Sequence, residues 1–566
     1  MKLSRRDFLS TGAKSALAVT VLRSFVPARV LAQAASLQPV FARLDEYIAR
    51  HMTETGAPGM TLALSNREGL IRASTYGYAD TKARVRVAPE TMFEIGSISK
   101  SFVALALMQL RDERKLDLNK PIVEYLPWLK ISSKFEPVTT HHILSHAAGL
   151  PAAPLLLDAL LGELWTGYAP GKHFLYSNTG YNILGFLIEA LDKRPFDESM
   201  RTRMLVPLGM TASSPIITDD LRKMMAVGYE PLGEGKPFPL HGPLVEAQWI
   251  EVDIAAGSIA STPADMAKYM RMLLNRGALQ KGRLVSEESF ALFTKPEIDS
   301  PFRGEPASYG YGVWISDIGG HTRLRHTGGM VAFSSSIDVD LTAGVSAFAS
   351  VNANLRGYRP VTVTKYAVEL LNASLAGKPL PDAPPPPPSP DEVKNAADYA
   401  GVYTSPEGKK LELVADGDKL VLVHGGQRVV LERAGGDRFI VKHPDFELYQ
   451  LGFIRENQQV TQAYHGPTWY VGARYAGPRS FETKKELQGL AGHYSNDSPW
   501  YGDMRIVLRN GELYIDGVQQ LVPRSDGKFG LGNPEGADWI SFEPPIDGRA
   551  MRLSFSGIPF RRTFTP

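Results

Sequence analysis

Ser97 and Lys100 stand three positions apart in Phe93-Glu94-Ile95-Gly96-Ser97-Ile98-Ser99-Lys100-Ser101-Phe102, just ahead of the apolar run 103–110. A glycine and serines before such a run spell a helix start. On a helix, positions three apart share a face, which sets the Lys100 amine beside the Ser97 hydroxyl. The helix N-terminus adds partial positive charge and free amide donors near that oxygen. A serine hydroxyl is a weak nucleophile until a base takes its proton, and a desolvated lysine with a lowered pKa is such a base. The spacing alone is common. Ser525-Asp526-Gly527-Lys528 repeats it, but its Gly and Asp mark a turn and no helical run follows.

Other elements must carry this pair. The run 346–351 has the apolar continuity of a buried strand, and with the 103–110 helix it marks a mixed α/β region. The stretch from Pro379 to Pro390 contains Pro384-Pro385-Pro386-Pro387-Pro388-Ser389-Pro390. Consecutive prolines fix φ and remove amide donors, which predicts an extended spacer. Beyond it, alternating runs at 410–414, 419–424, 428–432 and 438–442 are separated by turns, the pattern of an all-β region. Tyr399-Ala400-Gly401-Val402-Tyr403 and Leu490-Ala491-Gly492-His493-Tyr494 open two similar halves, each followed by a hairpin signal (Asp416-Gly417-Asp418; Asn510-Gly511). Two small antiparallel barrels of about eighty residues each fit this repeat; a single open sandwich is the rival arrangement.

The 566 residues suffice for two to four domains at roughly 150 residues each, and 43% hydrophobic positions supply ample cores. A formal net charge of +2 offers no basic field for a nucleic-acid backbone. The absence of cysteine removes disulfides, thiolate zinc sites, iron–sulfur clusters and cysteine nucleophiles together. Residues 1–34 read as targeting rather than fold: Ser4-Arg5-Arg6-Asp7-Phe8-Leu9, a mildly apolar run to Leu22, then Leu31-Ala32-Gln33-Ala34 at the cleavage position. This is similar to a bacterial twin-arginine export signal and predicts a periplasmic or secreted protein. The segment holds six basic groups and one acid, so its removal takes the formal charge from +2 to −3. No later apolar run approaches the roughly 20 residues of a membrane span.

Downstream of Ser97 come Leu144-Ser145-His146-Ala147-Ala148-Gly149-Leu150-Pro151, Phe174-Leu175-Tyr176-Ser177-Asn178-Thr179-Gly180-Tyr181, Pro207-Leu208-Gly209-Met210-Thr211, Gly257-Ser258-Ile259-Ala260-Ser261-Thr262, Ser308-Tyr309-Gly310-Tyr311-Gly312-Val313-Trp314 and His326-Thr327-Gly328-Gly329. This ordered series resembles the penicillin-recognising serine hydrolases of the class C β-lactamase type, over about residues 38–375. With two β-barrels behind the hydrolase, the architecture is most similar to three-domain bacterial D-aminopeptidases, in which a barrel loop limits substrate entry.

The resemblance implies roles. Ser97 is the acylated nucleophile, and Lys100 its proton partner. Tyr176 is the base or the relay to the leaving group, a role that asks for a nearby cation to lower its pKa, with Lys100 the obvious one. Asn178 orients Lys100 and the substrate amide. The backbone amides of Ser97 and Gly329 form the oxyanion hole, with His326 and Gly328 beside them. Tyr494-Ser495-Asn496 repeats the Tyr-x-Asn spelling, but after the His326 element, and reads as structural.

The third motif departs from the penicillin-handling branches, where a lysine or close cationic equivalent holds a carboxylate. His326, with an ordinary pKa near 6.5, offers no standing charge at pH 7. That weighs against β-lactamase or D,D-carboxypeptidase action and toward D-aminopeptidases, related amide hydrolases and carboxylesterases. His142 and His146, four apart, have the spacing of a zinc pair, yet their context reads as a helix end. Trp469, Tyr470, Trp500 and Tyr501 read as barrel core first and as a sugar or peptide surface second.

The expected architecture is thus an α+β serine β-lactamase or penicillin-binding-protein-like domain (35–378), a Pro-rich linker (379–394) and two lipocalin-like antiparallel β-barrels (395–483 and 484–566). The expected activity is hydrolysis of amide bonds in small or linear peptides, D-residues included, through an acyl-enzyme. The alternatives are a carboxylesterase using the same residues and, from another class, a non-hydrolytic peptide-binding protein. No cofactor or metal is called for. The expected partners are a small-molecule or peptide substrate and, at most, further copies of the chain; nucleic acid and a membrane span are not.

Overall fold

The structure, a computed structural model, describes residues 37–152, 164–232, 236–237, 242–355 and 357–563. The export-signal segment 1–34 lies outside the described residues. Among those described, no helix is long and apolar enough to cross a membrane.

The catalytic region is built on a nine-stranded antiparallel sheet. Its middle is Ser334–Asp340, Val345–Val351 and Gly59–Asn66, strands whose residues are almost all buried. Burial on both faces explains why 346–351 reads as a continuous apolar run rather than an alternating one. Period-2 geometry divides its side chains. Ala347, Ala349 and Val351 face a core shared with the helices Gln38–Thr55 and Val361–Leu375. Phe348 faces the other way, into the larger core of Ser99–Asp112, Asn178–Asp192 and Pro263–Leu274. The Ser99–Asp112 helix therefore lies between the sheet and a helical subdomain, and eleven of its residues are buried.

Both C-terminal units are closed eight-stranded barrels with neighbours consecutive in the chain, from Gly401–Thr404 to Thr468–Val471 and from Gly492–Ser495 to Ile558–Arg562. Closure runs through the pairs Thr404–Val471 and Tyr494–Arg562, which excludes the open sandwich. The sequence repeat has a packing cause. In each Ala-Gly-x-Tyr the tyrosine fills the barrel core and its hydroxyl donates to the carbonyl four residues back: Tyr403 to Tyr399 at 2.9 Å and Tyr494 to Leu490 at 2.7 Å.

The proline stretch is extended, as its composition requires, but it is not loose. Arg43 Nη1 donates to the Leu380 and Pro381 carbonyls, and Arg50 Nη2 to that of Pro384 at 2.7 Å, fastening it along the Gln38–Thr55 helix. The barrels are joined by Arg509. Its guanidinium lies 4.1 Å from both the Tyr464 and Tyr514 rings and bonds the Gly466 and Gly517 carbonyls. The last barrel also docks on the catalytic region. Trp165 Nε1 donates to the Ala537 carbonyl at 2.6 Å and its ring meets that of Trp539. On another side, Trp500 packs against the cluster containing Phe93, Met330 and Phe333.

Candidate active site

Ser97 sits in the 3-10 turn Gly96–Ile98 that enters the Ser99–Asp112 helix. Gly96 has φ +54°, and a Cβ there would stand 2.7 Å from the Gly329 amide nitrogen. At Gly328 a Cβ would fall 1.9 Å from the Ile95 carbonyl oxygen. Glycine at these positions lets the turn stack directly on the end of strand His321–Gly329, so the amide of residue 329 approaches that of residue 97. Two such amides are the donors a tetrahedral oxyanion needs.

Lys100 is fully buried, and its Nζ lies 3.0 Å from Ser97 Oγ, 2.8 Å from Asn178 Oδ1 and 2.7 Å from the Ala256 carbonyl. No carboxylate is among these partners. Burial therefore pushes its pKa well below the usual lysine value. Its three contacts are to acceptor oxygens, and burial favours its neutral form, in which two N–H groups suffice for Asn178 and Ala256 and the lone pair is free to take the Ser97 proton.

Tyr176 arrives on the turn that starts the Asn178–Asp192 helix. Ser177 caps that helix by accepting from the Gly180 amide, donates to the Pro151 carbonyl, and bonds His146 Nδ1 through its own amide. These three ties fix the backbone beside the phenol. The Tyr176 hydroxyl bonds Ser97, its ring lies 4.1 Å from that of His146, and Lys100 Nζ sits 4.9 Å from its centre.

The expectation that Lys100 lowers the Tyr176 pKa is corrected here. Burial raises it, while the Ser97 bond and Arg359 pull it down more weakly. A lysine driven toward neutrality cannot hold a phenolate, so the resting tyrosine is a neutral phenol.

His326 is 1% exposed. Its Nδ1 lies 2.7 Å from the Thr327 carbonyl, which can only accept, so the proton is on Nδ1 and Nε2 accepts from Tyr309 at 3.1 Å. Burial holds its pKa at about 3. The absence of standing charge expected at this position therefore holds.

Sequence reasoning missed Arg359. Its guanidinium covers Gly329 so closely that a Cβ there would fall 1.8 Å from Nη2. Its bonds go to Tyr358 O and Ser334 Oγ, and no carboxylate faces it among the described residues. Burial, then Arg303, lowers its pKa to about 10, against a counter-pull from Tyr176. It follows the sheet by several residues and belongs to no motif, so only the basic pair Arg356 and Arg359 ahead of the Val361–Leu375 helix hinted at it. His146 was taken as structural; it supports Tyr176 from below. His142 caps its own helix through Thr139, and the pair forms no metal group.

The duplicate spellings part company with these groups. Ser525 to Lys528 form a turn between strands of the last barrel, with Lys528 Nζ 3.9 Å from the Trp539 ring. Tyr494 is barrel core. The core reading holds for Tyr470, and Tyr501 packs partly buried against the last barrel's core; it is corrected for Trp469, which packs outside the first barrel's core with Val471 and Tyr475, and for Trp500, which lies against the catalytic region.

Residues 44–370 match a family model described as Beta-lactamase. "Protein flp" of Staphylococcus aureus (strain N315) is 25% identical over 349 residues, 58% of this chain and 66% of its own length, so the chain spans slightly less than two thirds of that relative. "Teichoic acid D-alanine hydrolase" of Staphylococcus aureus (strain MRSA252) is 26% identical over 294 residues, 50% of this chain and 67% of its own length. Among solved structures, an octameric penicillin-binding protein homologue from Pyrococcus abyssi is 25% identical with a TM-score of 0.54, over 76% of this chain and 99% of its own. The chain belongs to the β-lactamase family, and its catalytic region has the fold of β-lactamases and penicillin-binding proteins.

Proposed function

We propose that this member of the β-lactamase family is a serine hydrolase that cleaves amide bonds of small or linear peptides, D-residues included, through an acyl-enzyme. The observation that carries the reading is the Lys100 amine, buried without a counter-ion and 3.0 Å from Ser97 Oγ. In acylation the Ser97 proton passes to Lys100 Nζ and Oγ adds to the carbonyl carbon. The charge on the carbonyl oxygen falls to the amides of Ser97 and Gly329. As the tetrahedral adduct collapses, the amine leaving group takes a proton from the Tyr176 hydroxyl, which recovers one from Lys100. Water then releases the acyl group by the reverse relay. An amide needs that proton more than an ester does, because an unprotonated amine is a very poor leaving group; a neutral phenol beside Ser97 supports the amide reading for this reason. The likeness to a relative named for D-alanine hydrolysis supports D-residues as part of the substrate class.

A substrate carboxylate would find its counter-charge at Arg359 rather than at His326. The leading Arg5-Arg6 segment, read as an export signal, would place this chemistry outside the cytoplasm. Assembly with further copies of the chain rests on the likeness to the octameric homologue, and sedimentation velocity tests it.

The deciding experiment uses matched p-nitroanilide and p-nitrophenyl ester substrates with a D- or L-acyl residue. Measurable anilide turnover, reduced more than ester turnover by Tyr176→Phe, is expected. Ester turnover alone would make the protein a carboxylesterase working through the same groups. A fluorophosphonate that leaves Ser97 unlabelled would favour a binding protein instead.

A further inference from the structure

Glu94, three residues before Ser97, takes no part in the hydrolysis above. It pairs with Ala260 in the short strand Phe93–Glu94 and is 7% exposed. No donor or cation among the described residues bonds its carboxyl group, and uncompensated burial pushes its pKa up to about 8, so the empty site holds a largely protonated acid that ionises only when a cation joins it. Such burial is costly and calls for a partner.

The side chain lines a pocket of about 50 Å³ walled by Trp249, Ala332 and Phe333. Gly228 closes one wall so tightly that a Cβ would stand 2.4 Å from that of Ala332. Trp249 brings a second orphan: its indole N–H is buried with no acceptor. Arg222, the cation at this pocket, lies 5.6 Å over the Trp249 ring rather than on Glu94. Glu94 and Trp249, each with an unpaired polar group, thus line one small pocket with aromatic walls, beside Arg222 and a second acid, Glu246. Its walls come from the segments that flank the Ser97 site in the chain. Residues 331–333 come just after Gly329 and Met330, and at roughly 3.5 Å per residue the Glu94 Cα is within about 11 Å of that of Ser97.

We propose that this pocket binds an ammonium group carried by the substrate, with Glu94 as counter-ion and the Trp249 N–H holding an adjoining carbonyl or hydroxyl oxygen. The aromatic faces add to cation binding. The inference rests on the hydrolytic reading for its kinetic assay and on nothing from it for binding. A trapped water joining Glu94 to Trp249 is the competing occupant.

The test compares two amides that differ only in a free amine against its N-acetyl form, with wild type and Glu94→Gln. The ratio of kcat/KM, amine over N-acetyl, is expected to fall at least tenfold in the variant, through KM. Calorimetry of n-butylammonium with wild-type protein reads binding without catalysis and without the variant. Saturable binding supports the proposal even if neither amide turns over, an outcome that would sink the hydrolytic reading alone. An unchanged ratio, or no heat of binding to the wild type, overturns it and leaves only water in the pocket.

Discussion

Two regions of the molecule carry the same two spellings. In the catalytic region Ser97-x-x-Lys100 and Tyr176-x-Asn178 converge on one point. In the last barrel Ser525-x-x-Lys528 turns a hairpin, and Tyr494-x-Asn496 fills a core and bonds the Pro559 carbonyl. The residue types are identical. What differs is the company: Lys100 is denied water and any carboxylate, whereas Lys528 is half-exposed on an aromatic face. Reactivity here belongs to the dielectric and the donor shell, and not to the letters.

The contrast is sharpest at the serines. Ser97→Ala should reduce turnover by roughly 10⁴-fold or more, while Ser525→Ala leaves steady-state rates unchanged; equal losses would break the comparison. Lys100→Arg should cost nearly as much, because guanidinium retains its proton. Lys528→Arg should be silent in the same assay.

At the tyrosines the regions should trade phenotypes. Tyr176→Phe is expected to lower amide kcat by about 10²- to 10⁴-fold with little change in thermal unfolding. Tyr494→Phe should instead cost about 1 kcal/mol of stability through its lost hydrogen bonds, with kcat retained.

The pH profile separates the basic groups. Only unprotonated Lys100 can accept the Ser97 proton, so kcat/KM should rise with pH through the lysine's depressed pKa. His326, held at about 3, should contribute no limb near 6.5. A limb near 6.5 that vanishes in His326→Asn would contradict the neutral imidazole. His326→Lys should improve handling of carboxylate-bearing substrates by several-fold. The smallest effect is expected from Trp500→Ala, where the last barrel meets the catalytic region. Ratios between substrates of different size should shift a few-fold, and the fluorophosphonate labelling rate of Ser97 should not.

Much of this was legible in the residues. The helix after Ser97, the buried strand and the barrel repeat follow from local pattern, whereas Tyr176 and Asn178 were picked out by the family resemblance rather than by spacing. Three features were not, each for a physical reason. Arg359 reaches Gly329 from a segment with no motif, and only packing reveals it. The Tyr176 pKa reflects a balance between burial and charge, and sequence spacing names the charges but not the burial. The proline stretch has its conformation written in its composition, yet its docking depends on Arg43 and Arg50, more than three hundred residues earlier.

That last attachment bears on the order in which the molecule is made. The Gln38–Thr55 helix is among the first described segments to leave the ribosome, yet its arginines wait for residues 380–384, and Gly59–Asn66 waits for Val345–Val351 to complete its side of the sheet. Such distant pairing is slow. The Gly96–Ile98 turn that carries Ser97, resting on the far end of that sheet, is therefore assembled late, and a nascent chain stalled before residue 351 would hold that serine without its surroundings.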